Sequence, residues 1–485
     1  MRSVPLKLVL ILLLVSSVFL DAQGSGPGAA PSQPGSIRPV SSTPSMSQNT
    51  FSGSVPSTDL PAGVLTLSLE DAIQRGLRQN LGLVLGDQST QLARAQELRA
   101  RSQLRPSLTA HVGDTEQQIN LAAYGFNFHI PGVNIPAIVG PFNVFDARAY
   151  FSQSLLNFQL RDNAHASQQL TRAAEFTQKD SRDMVVLLVA AGYLQVIADE
   201  ARVEEARVEV DTASALFERA QDQLKSGLAP ALDSLRAQVE LQSEQTRLRS
   251  LQNDLAKDRL AMARLIGLPL AQNYVLSDKA PYAELTPPDL TGAVDQAVKL
   301  RADYQSADAR VKAAELAKRG AIAERYPSIG LNADYGDQGT SPWNSHGTFT
   351  AGVGVNFPLW QGGRIRSDIE EADAQLQQRK AELADLRGRI EYDVRTALLD
   401  LQTAADQLQV ARSSVDLSRQ ALTQARDRFS AGVADNIEVV QAQNAVAGAT
   451  TSYIDSLYAH NVAKVSLARA MGIAEQGVKQ YLGGK

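Results

Sequence analysis

Two acidic residues occupy matching places in two short stretches of this chain. Asp233 lies six residues after Gly227 in QLKSGLAPALDSLRAQ, and Glu438 lies six residues after Gly432 in RFSAGVADNIEVVQAQ. A carboxylate at such a place attracts cations or, in the first turn of a helix, offsets the helix dipole. The pattern predicts electrostatic chemistry at two related turns.

The other residues that could do chemistry form no active-site pattern. The chain has no cysteine, which excludes a thiol nucleophile and a lipid-anchoring cysteine after a leader. Its five histidines fall in separate elements without His-Glu-x-x-His spacing, and no phosphate-binding glycine loop or nucleophile elbow is present. A net charge of -5 gives no basic surface for nucleic acid. The sequence therefore predicts no enzyme, no cofactor, no metal site and no nucleic-acid partner.

The N-terminus predicts export. Arg2 and Lys7 precede an apolar run from Leu8 to Leu20, and Ala22 is a plausible last leader residue, so residues 1–22 resemble a secretory signal peptide. Residues 23–65 are rich in Ser, Pro and Gly and predict a flexible segment. Beyond the leader no run of eighteen apolar residues occurs, so we expect no transmembrane helix.

The rest of the sequence contains one unit that occurs twice. Pro106-Ser107 and Pro327-Ser328 are offset by 221 residues, and the two glycine turns are offset by 205. Because further matches occur in the same order, we expect an internal two-fold repeat. The expected boundaries are a first repeat at 66–275, a linker at 276–286, a second repeat at 287–478 and a tail at 479–485.

Each unit changes its apolar period along its length. Helical spacing runs from Leu69 to about Gln103, with Ser68 and Asp71 as a capping box. Alternating residues then predict two strands in each unit, apolar on one side only. The expected strands are about 107–118 and 143–155 in the first repeat and about 328–337 and 347–358 in the second.

Long helices should follow each strand pair. Residues 159–226 and 364–430 contain no proline and one glycine each, with apolar residues seven apart, which is typical of long packed helices. A glycine turn and a shorter returning helix, at 231–266 or 436–471, complete each unit.

Four one-sided strands cannot close a barrel alone, and open strand edges are not tolerated in lipid. If the apolar side meets lipid, several chains must pool their strands: two give eight, three give twelve and four give sixteen. Leu108 and Ile329 would then face lipid. The wet interior would be lined by Ser107, Thr109, His111, Gly330 and Asn332.

From about residue 66 to 475 the chain resembles the outer-membrane efflux protein family, the TolC-like channel-tunnels. The resemblance is carried by LSLEDAIQRGLRQN, both Pro-Ser strand starts, NFPLWQGGRI, RFSAGVADNIEVVQAQ and LARAMG in their order and spacing. It implies a mainly α fold with a small β part: a long antiparallel helical barrel in the periplasm below a trimeric twelve-stranded outer-membrane β-barrel. Such a homotrimer conducts substrate passively from an inner-membrane pump and a periplasmic adaptor.

The resemblance also assigns roles to the two turns. Its adaptor-docking tip matches Gly227, Leu228, Ala229, Gly432, Val433 and Ala434. Its gate acids match Asp233 and Glu438, and three copies of each around an axis would favour cations. This chain departs from the family at Gln441, where some members carry an acid, at Phe429, where some carry a tyrosine, and at Ala434, where some carry an arginine. The departures favour closure by apolar contact near Phe429.

A secreted or periplasmic coiled-coil scaffold without a pore is the alternative. It accounts for apolar residues seven apart. It does not account for the one-sided strands.

Overall fold

A computed structural model gives the architecture. It describes residues 50–56, 63–125, 136–227, 230–278, 285, 288–431, 433 and 436–481.

Nine helices and six strands lie in these ranges. The helices are α1 (Leu69–Gln79), α2 (Leu81–Ser102), α3 (Phe158–Lys225), α4 (Ala231–Leu265), α5 (Leu290–Leu300), α6 (Ala302–Ala323), α7 (Arg364–Ser430), α8 (Asn436–Ala470) and α9 (Ala474–Tyr481). The strands are β1 (Leu65–Leu67), β2 (Ser107–Asn120), β3 (Ile138–Leu156), β4 (Tyr274–Leu276), β5 (Ser328–Ser341) and β6 (Asn344–Asn356).

The strands form two separate sheets. β1 and β4 make a short parallel pair, whereas the other four make an antiparallel sheet in the order β2-β3-β5-β6. Each strand of the larger sheet is longer than expected or shifted by a few residues, and β3 begins five residues earlier than the expected start at 143. The sequence reasoning missed this extension because Gly140 and Pro141 interrupt the alternation there.

The helices form a wall whose order matches that of the strands. Near the sheet, α3 packs against α2 and α6, and α6 packs against α7; farther away, α3 packs against α4 and α8, and α8 packs against α7. α2 leads into β2, β3 into α3, α6 into β5 and β6 into α7. Only α3 and α7, at 68 and 67 residues, run the whole way, about 100 Å at 1.5 Å per residue.

The expected helix from Leu69 to Gln103 is broken in two. Ser68 caps α1 as expected, because its side chain accepts a hydrogen bond from the Asp71 amide. Asn80 then ends α1 and begins α2: its backbone is extended, with φ -63° and ψ 130°, and its side-chain oxygen accepts from the Gly82 amide. Asn is a strong N-cap residue, so its side chain stabilises the break.

The apolar core lies around the midpoints of the two long helices. One cluster packs Val185, Val189 and Tyr193 of α3 against α1, α4 and the small β1–β4 sheet. A second packs Ile390, Val394 and related residues of α7 against α5 and α8. The row Val394, Leu401, Leu408 and Val415, seven residues apart, is buried, as its spacing predicts.

Among the described residues, α3 alone contains a window long and apolar enough to cross a membrane. More than half of that window, 56 %, is buried inside the chain. Buried core helices pass the same length and composition test, and Val185, Val189 and Tyr193 of the first core lie in α3.

Candidate functional site: the helical turns and the polar face of the sheet

The first turn joins α3 to α4. Gly227 has φ +70°, a left-handed conformation that glycine adopts without steric cost, and its amide bonds to the Leu224 carbonyl at 3.0 Å. Pro230 precedes the first residue of α4, and Asp233 lies in the first turn of that helix. The Asp233 carboxylate is 3.8 Å from Arg236, with both side chains partly exposed. Leu228 and Ala229 lie outside the described residues.

The second turn joins α7 to α8. Val433 is 70 % exposed, and its amide bonds to the Arg428 carbonyl at 3.0 Å. Glu438 lies in the first turn of α8, and its Oε1 accepts a hydrogen bond from Arg428 Nη1 at 2.7 Å. Gly432 and Ala434 lie outside the described residues.

Phe429 is half-buried beside the first hairpin. The Arg219 guanidinium of α3 lies over its ring, 5.6 Å from the centroid. A cation in this position attracts the face of an aromatic ring by about 0.5–1 kcal/mol at an exposed site. The contact links the C-terminal end of α3 to the C-terminal end of α7.

A cavity of about 740 Å³ opens between the helical hairpins α3–α4 and α7–α8, and two of the predicted gate residues line it. Asp233 of α4 and Gln441 of α8 both line it. The rest of its lining includes Leu232, Leu235 and Val239 of α4 and Ile437 and Val440 of α8. Glu438 is instead paired with Arg428.

Sequence reasoning missed Arg428 and Arg219. Arg428 is the first residue of the quoted stretch RFSAGVADNIEVVQAQ and lies ten positions before Glu438, too far apart for a pair along one helix. The turn folds the chain back and makes the pairing possible. Arg219 could not be found from local spacing because it is 210 residues from Phe429.

The four-stranded sheet has one apolar and one polar face. Residues directly opposite one another across the strands share a face. Leu108, Phe151, Ala333 and Ala351 form one such row, and Ala110, Ala149, Tyr335 and Phe349 form the next. The reverse face carries Ser107, Ser152, Asn332 and then Thr109, Tyr150, Asp334, Thr350. The expected separation of Leu108 from Ser107 and Thr109 is therefore confirmed.

Both edges of this sheet end in strands with one neighbour each. β2 pairs only with β3, and β6 only with β5, within the described part of the chain. β6 carries large exposed apolar groups, among them Phe349 at 77 % and Val353 at 63 %. Such an edge is a template for pairing with another strand.

Comparison with known proteins also finds similarity to outer membrane efflux proteins. The family model described as outer membrane efflux protein matches residues 293–473. The pyoverdine export outer membrane protein OpmQ of Pseudomonas aeruginosa is 23 % identical over 428 residues, covering 86 % of this chain and 87 % of that protein. The toluene efflux pump outer membrane protein TtgF of Pseudomonas putida is 25 % identical over 432 residues, covering 83 % of each.

Solved structures share the fold. The Campylobacter jejuni CmeC outer membrane channel matches with a TM-score of 0.76 at 15 % identity, over 94 % of this chain and 98 % of that one. The Vibrio cholerae outer membrane protein VceC matches with a TM-score of 0.70 at 19 % identity, over 83 % and 96 %. These likenesses show that the chain has the fold of these outer membrane channels, and its residues 293–473 are similar to the outer membrane efflux protein family.

Proposed function

We propose that this protein is the outer-membrane exit duct of a tripartite efflux or secretion system. The four strands of its larger sheet lie in the outer membrane, and its helices reach into the periplasm. It conducts passively, and an inner-membrane pump supplies the energy through a periplasmic adaptor. The relatives named as efflux pump and export outer membrane proteins support this function.

One observation carries the proposal: strands and helices form a wall that is open at the same two edges. The sheet ends at β2 and β6, and the helical layer ends at α2 and α4 on one side and at α7 on the other. A wall open at corresponding edges closes when identical copies meet edge to edge around an axis. Three copies give a twelve-stranded barrel, the arrangement we propose.

The helical edges carry apolar residues suited to that closure. α7 exposes Tyr392, Leu399, Val410 and Leu417, separated by 7, 11 and 7 positions, which places them on one face of a helix. α4 exposes Leu260 outside the cavity that its first turns line. Leu399 lies 31 residues above the end of α7 and Leu260 lies 29 above the start of α4, so both sit about 45 Å above the turns.

The two turns are proposed as the periplasmic tip. Gly227 and Val433 are exposed, as a docking surface for adaptor hairpins requires. Leu228, Ala229, Gly432 and Ala434 complete the proposed docking set, and Asp233, Phe429, Glu438 and Gln441 the proposed gate. The equal lengths of α4 and α8, 35 residues each, and of β2 and β5, 14 each, support the proposed two-fold repeat.

Cysteine cross-linking tests the assembly without background because the chain has no cysteine. We expect the pair Leu260→Cys and Leu399→Cys to give, on oxidation in membranes, bands at two and three subunit masses and none higher. Within one chain, α3 and α8 lie between α4 and α7, so the two positions are three interhelical distances apart. That is about 27 Å, too far for an internal disulfide. Leu399→Cys alone is the control and should remain monomeric. A monomer-only result for the pair, or release of the protein by salt or carbonate, would favour the soluble scaffold.

The Arg428–Glu438 pair predicts opposite changes in ion preference. Arg428→Gln should raise cation over anion permeability several-fold in planar bilayers, because it leaves three unpaired carboxylates near the tip. Glu438→Ala should lower it, because it leaves three unpaired guanidinium groups. Lys257→Gln, about 39 Å farther along α4, is the control and should change nothing. Equal selectivity in all three variants would remove Glu438 from the gate.

A further inference from the structure

A charge network lies at mid-height on the polar face of the sheet, far from the turns. Its centre is Arg148, ten residues after the start of β3 and eight before its end. The Arg148 side chain is only 13 % exposed. Its Nε donates to Asp146 at 3.2 Å, its Nη1 to Asp334, and its Nη2 to Thr348 at 3.1 Å and Gln338 at 3.4 Å.

A glycine makes this reach possible. Gly336 of β5 stands directly opposite Arg148, and Thr348 of β6 stands directly opposite Gly336. A Cβ on Gly336 would lie 2.3 Å from the Ala147 carbonyl oxygen and 2.8 Å from the Arg148 Cβ. With no side chain at this position, the guanidinium can cross β5 and contact a hydroxyl on β6.

The network must face water in the assembled barrel. Charged side chains at the depth of the bilayer centre face a protein interior or an aqueous cavity. The other face of the same sheet carries Ala149, Tyr335 and Phe349, which suit lipid. Under the proposed function, on which this inference rests, the network therefore lines the duct as a belt of three copies.

We propose that Arg148 sets the ionic preference of the outer-membrane barrel. Asp146 and Asp334 carry two negative charges and Arg148 one positive charge, so each chain contributes -1 and the belt -3. Arg148 is a built-in counter-charge that holds the wall at weak cation preference. The belt is a second determinant of selectivity, on strands rather than at the helical tip.

A purely structural network would behave differently. Arg148 joins three strands, so its loss could simply loosen their pairing. Loosening would weaken the trimer in every variant of the network. It would not shift ion preference in opposite directions according to which charge is removed.

The test is the cation-to-anion permeability ratio in planar bilayers, from reversal potentials in a potassium chloride gradient. Arg148→Gln takes each chain from -1 to -2 and should raise the ratio about threefold near 0.1 M salt. Asp334→Asn takes each chain from -1 to 0 and should lower it by a similar factor. The double variant restores -1 and should return the ratio to that of the unmodified protein.

The controls separate this inference from the proposed function. Lys257→Gln changes a charge on α4, outside the sheet, and should leave the ratio unchanged. Above 1 M salt the differences should collapse, because the Debye length is then about 3 Å. Channels whose ratio is the same in both single variants, or a double variant that is not restored, would overturn the role of Arg148. Absence of channels from the unmodified protein would overturn the duct itself.

Discussion

Replacing Ala351 with arginine is expected to remove the protein from the outer membrane, whereas replacing its neighbour Thr350 with arginine is expected to leave it there. Both residues are exposed near the middle of β6, and they point to opposite faces of the sheet. Arginine at the bilayer midplane on a lipid-facing strand costs about 2–4 kcal/mol. The proposed trimer would carry that cost three times, whereas Thr350→Arg adds a charge beside Asp334 on the polar face.

Heat-modifiable trimer bands in outer-membrane fractions measure the outcome. Ala351→Arg should leave little or no trimer, with the protein degraded or in the soluble fraction. Thr350→Arg should give trimer close to the unmodified level. The pair isolates the face, because the new side chain is the same and the positions are adjacent. If both variants assemble equally well, the apolar face does not contact lipid.

The second large effect is expected from Arg301, a buried arginine at the junction of α5 and α6. It is 5 % exposed, and its guanidinium bonds to Asp303 at 2.7 Å and to Asp393 of α7 at 2.8 Å. Arg301→Met should destabilise the helical part by about 3 kcal/mol, the lower end of the range for a broken buried pair, because it leaves the half-buried carboxylates of Asp303 and Asp393 without their cation. The midpoint of helix loss on heating, followed by circular dichroism in detergent, measures the change.

The loss of stability in Arg301→Met should depend on pH because of Asp303. Burial alone would raise the pKa of Asp303, but the hydrogen bond and charge of Arg301 outweigh burial and hold that pKa below its ordinary value of 3.8. The stabilisation from a depressed carboxyl pKa is present above the unfolded pKa and is lost as pH falls through the folded one. Without Arg301 the half-buried carboxyl of Asp303 should take up a proton more easily. The deficit of Arg301→Met should therefore be large at pH 7 and shrink towards pH 4.

A double variant tests that cause. Arg301→Met with Asp303→Asn removes both charges, so it should recover a large part of the lost stability and show a flatter pH profile. Asp180 of α3 and Arg469 of α8 also face this junction and remain paired with each other in both variants. A deficit that is the same at pH 7 and pH 4, and the same in the double variant, would assign the loss to packing alone.

Local periodicity was enough to predict the long elements. Long segments without proline, with apolar residues seven apart in α7 and α4, placed α3, α7 and the two returning helices to within a residue at each end. Such patterns are local, so they can be read from one stretch of sequence. The short pair β1–β4 was missed because its two strands have three residues each and lie more than 200 positions apart. α9 was also missed, and it continues past the expected repeat boundary at 478.

The candidate site was predicted unevenly for the same reason. The glycine turn at Gly227 was predicted from a single residue type, and its backbone is left-handed. The partners of the proposed gate residues were not predicted, because Arg428 meets Glu438 only when the turn closes and Arg219 meets Phe429 only when the α3–α4 and α7–α8 hairpins pack together. Arg148 was missed because its partners lie on three strands, and no local spacing joins Asp334 or Thr348 to it.

The place where α9 docks has a practical consequence. Glu475, in the first turn of α9, pairs with Arg182, which lies 24 residues after the start of α3. The start of α9 is therefore about 36 Å from the sheet and about 65 Å from the turns. An affinity tag or a fluorescent domain that follows α9 is therefore expected on the flank of the helical layer. Under the proposed function both ends of the duct would stay clear, so conduction and adaptor binding could be measured on a labelled protein.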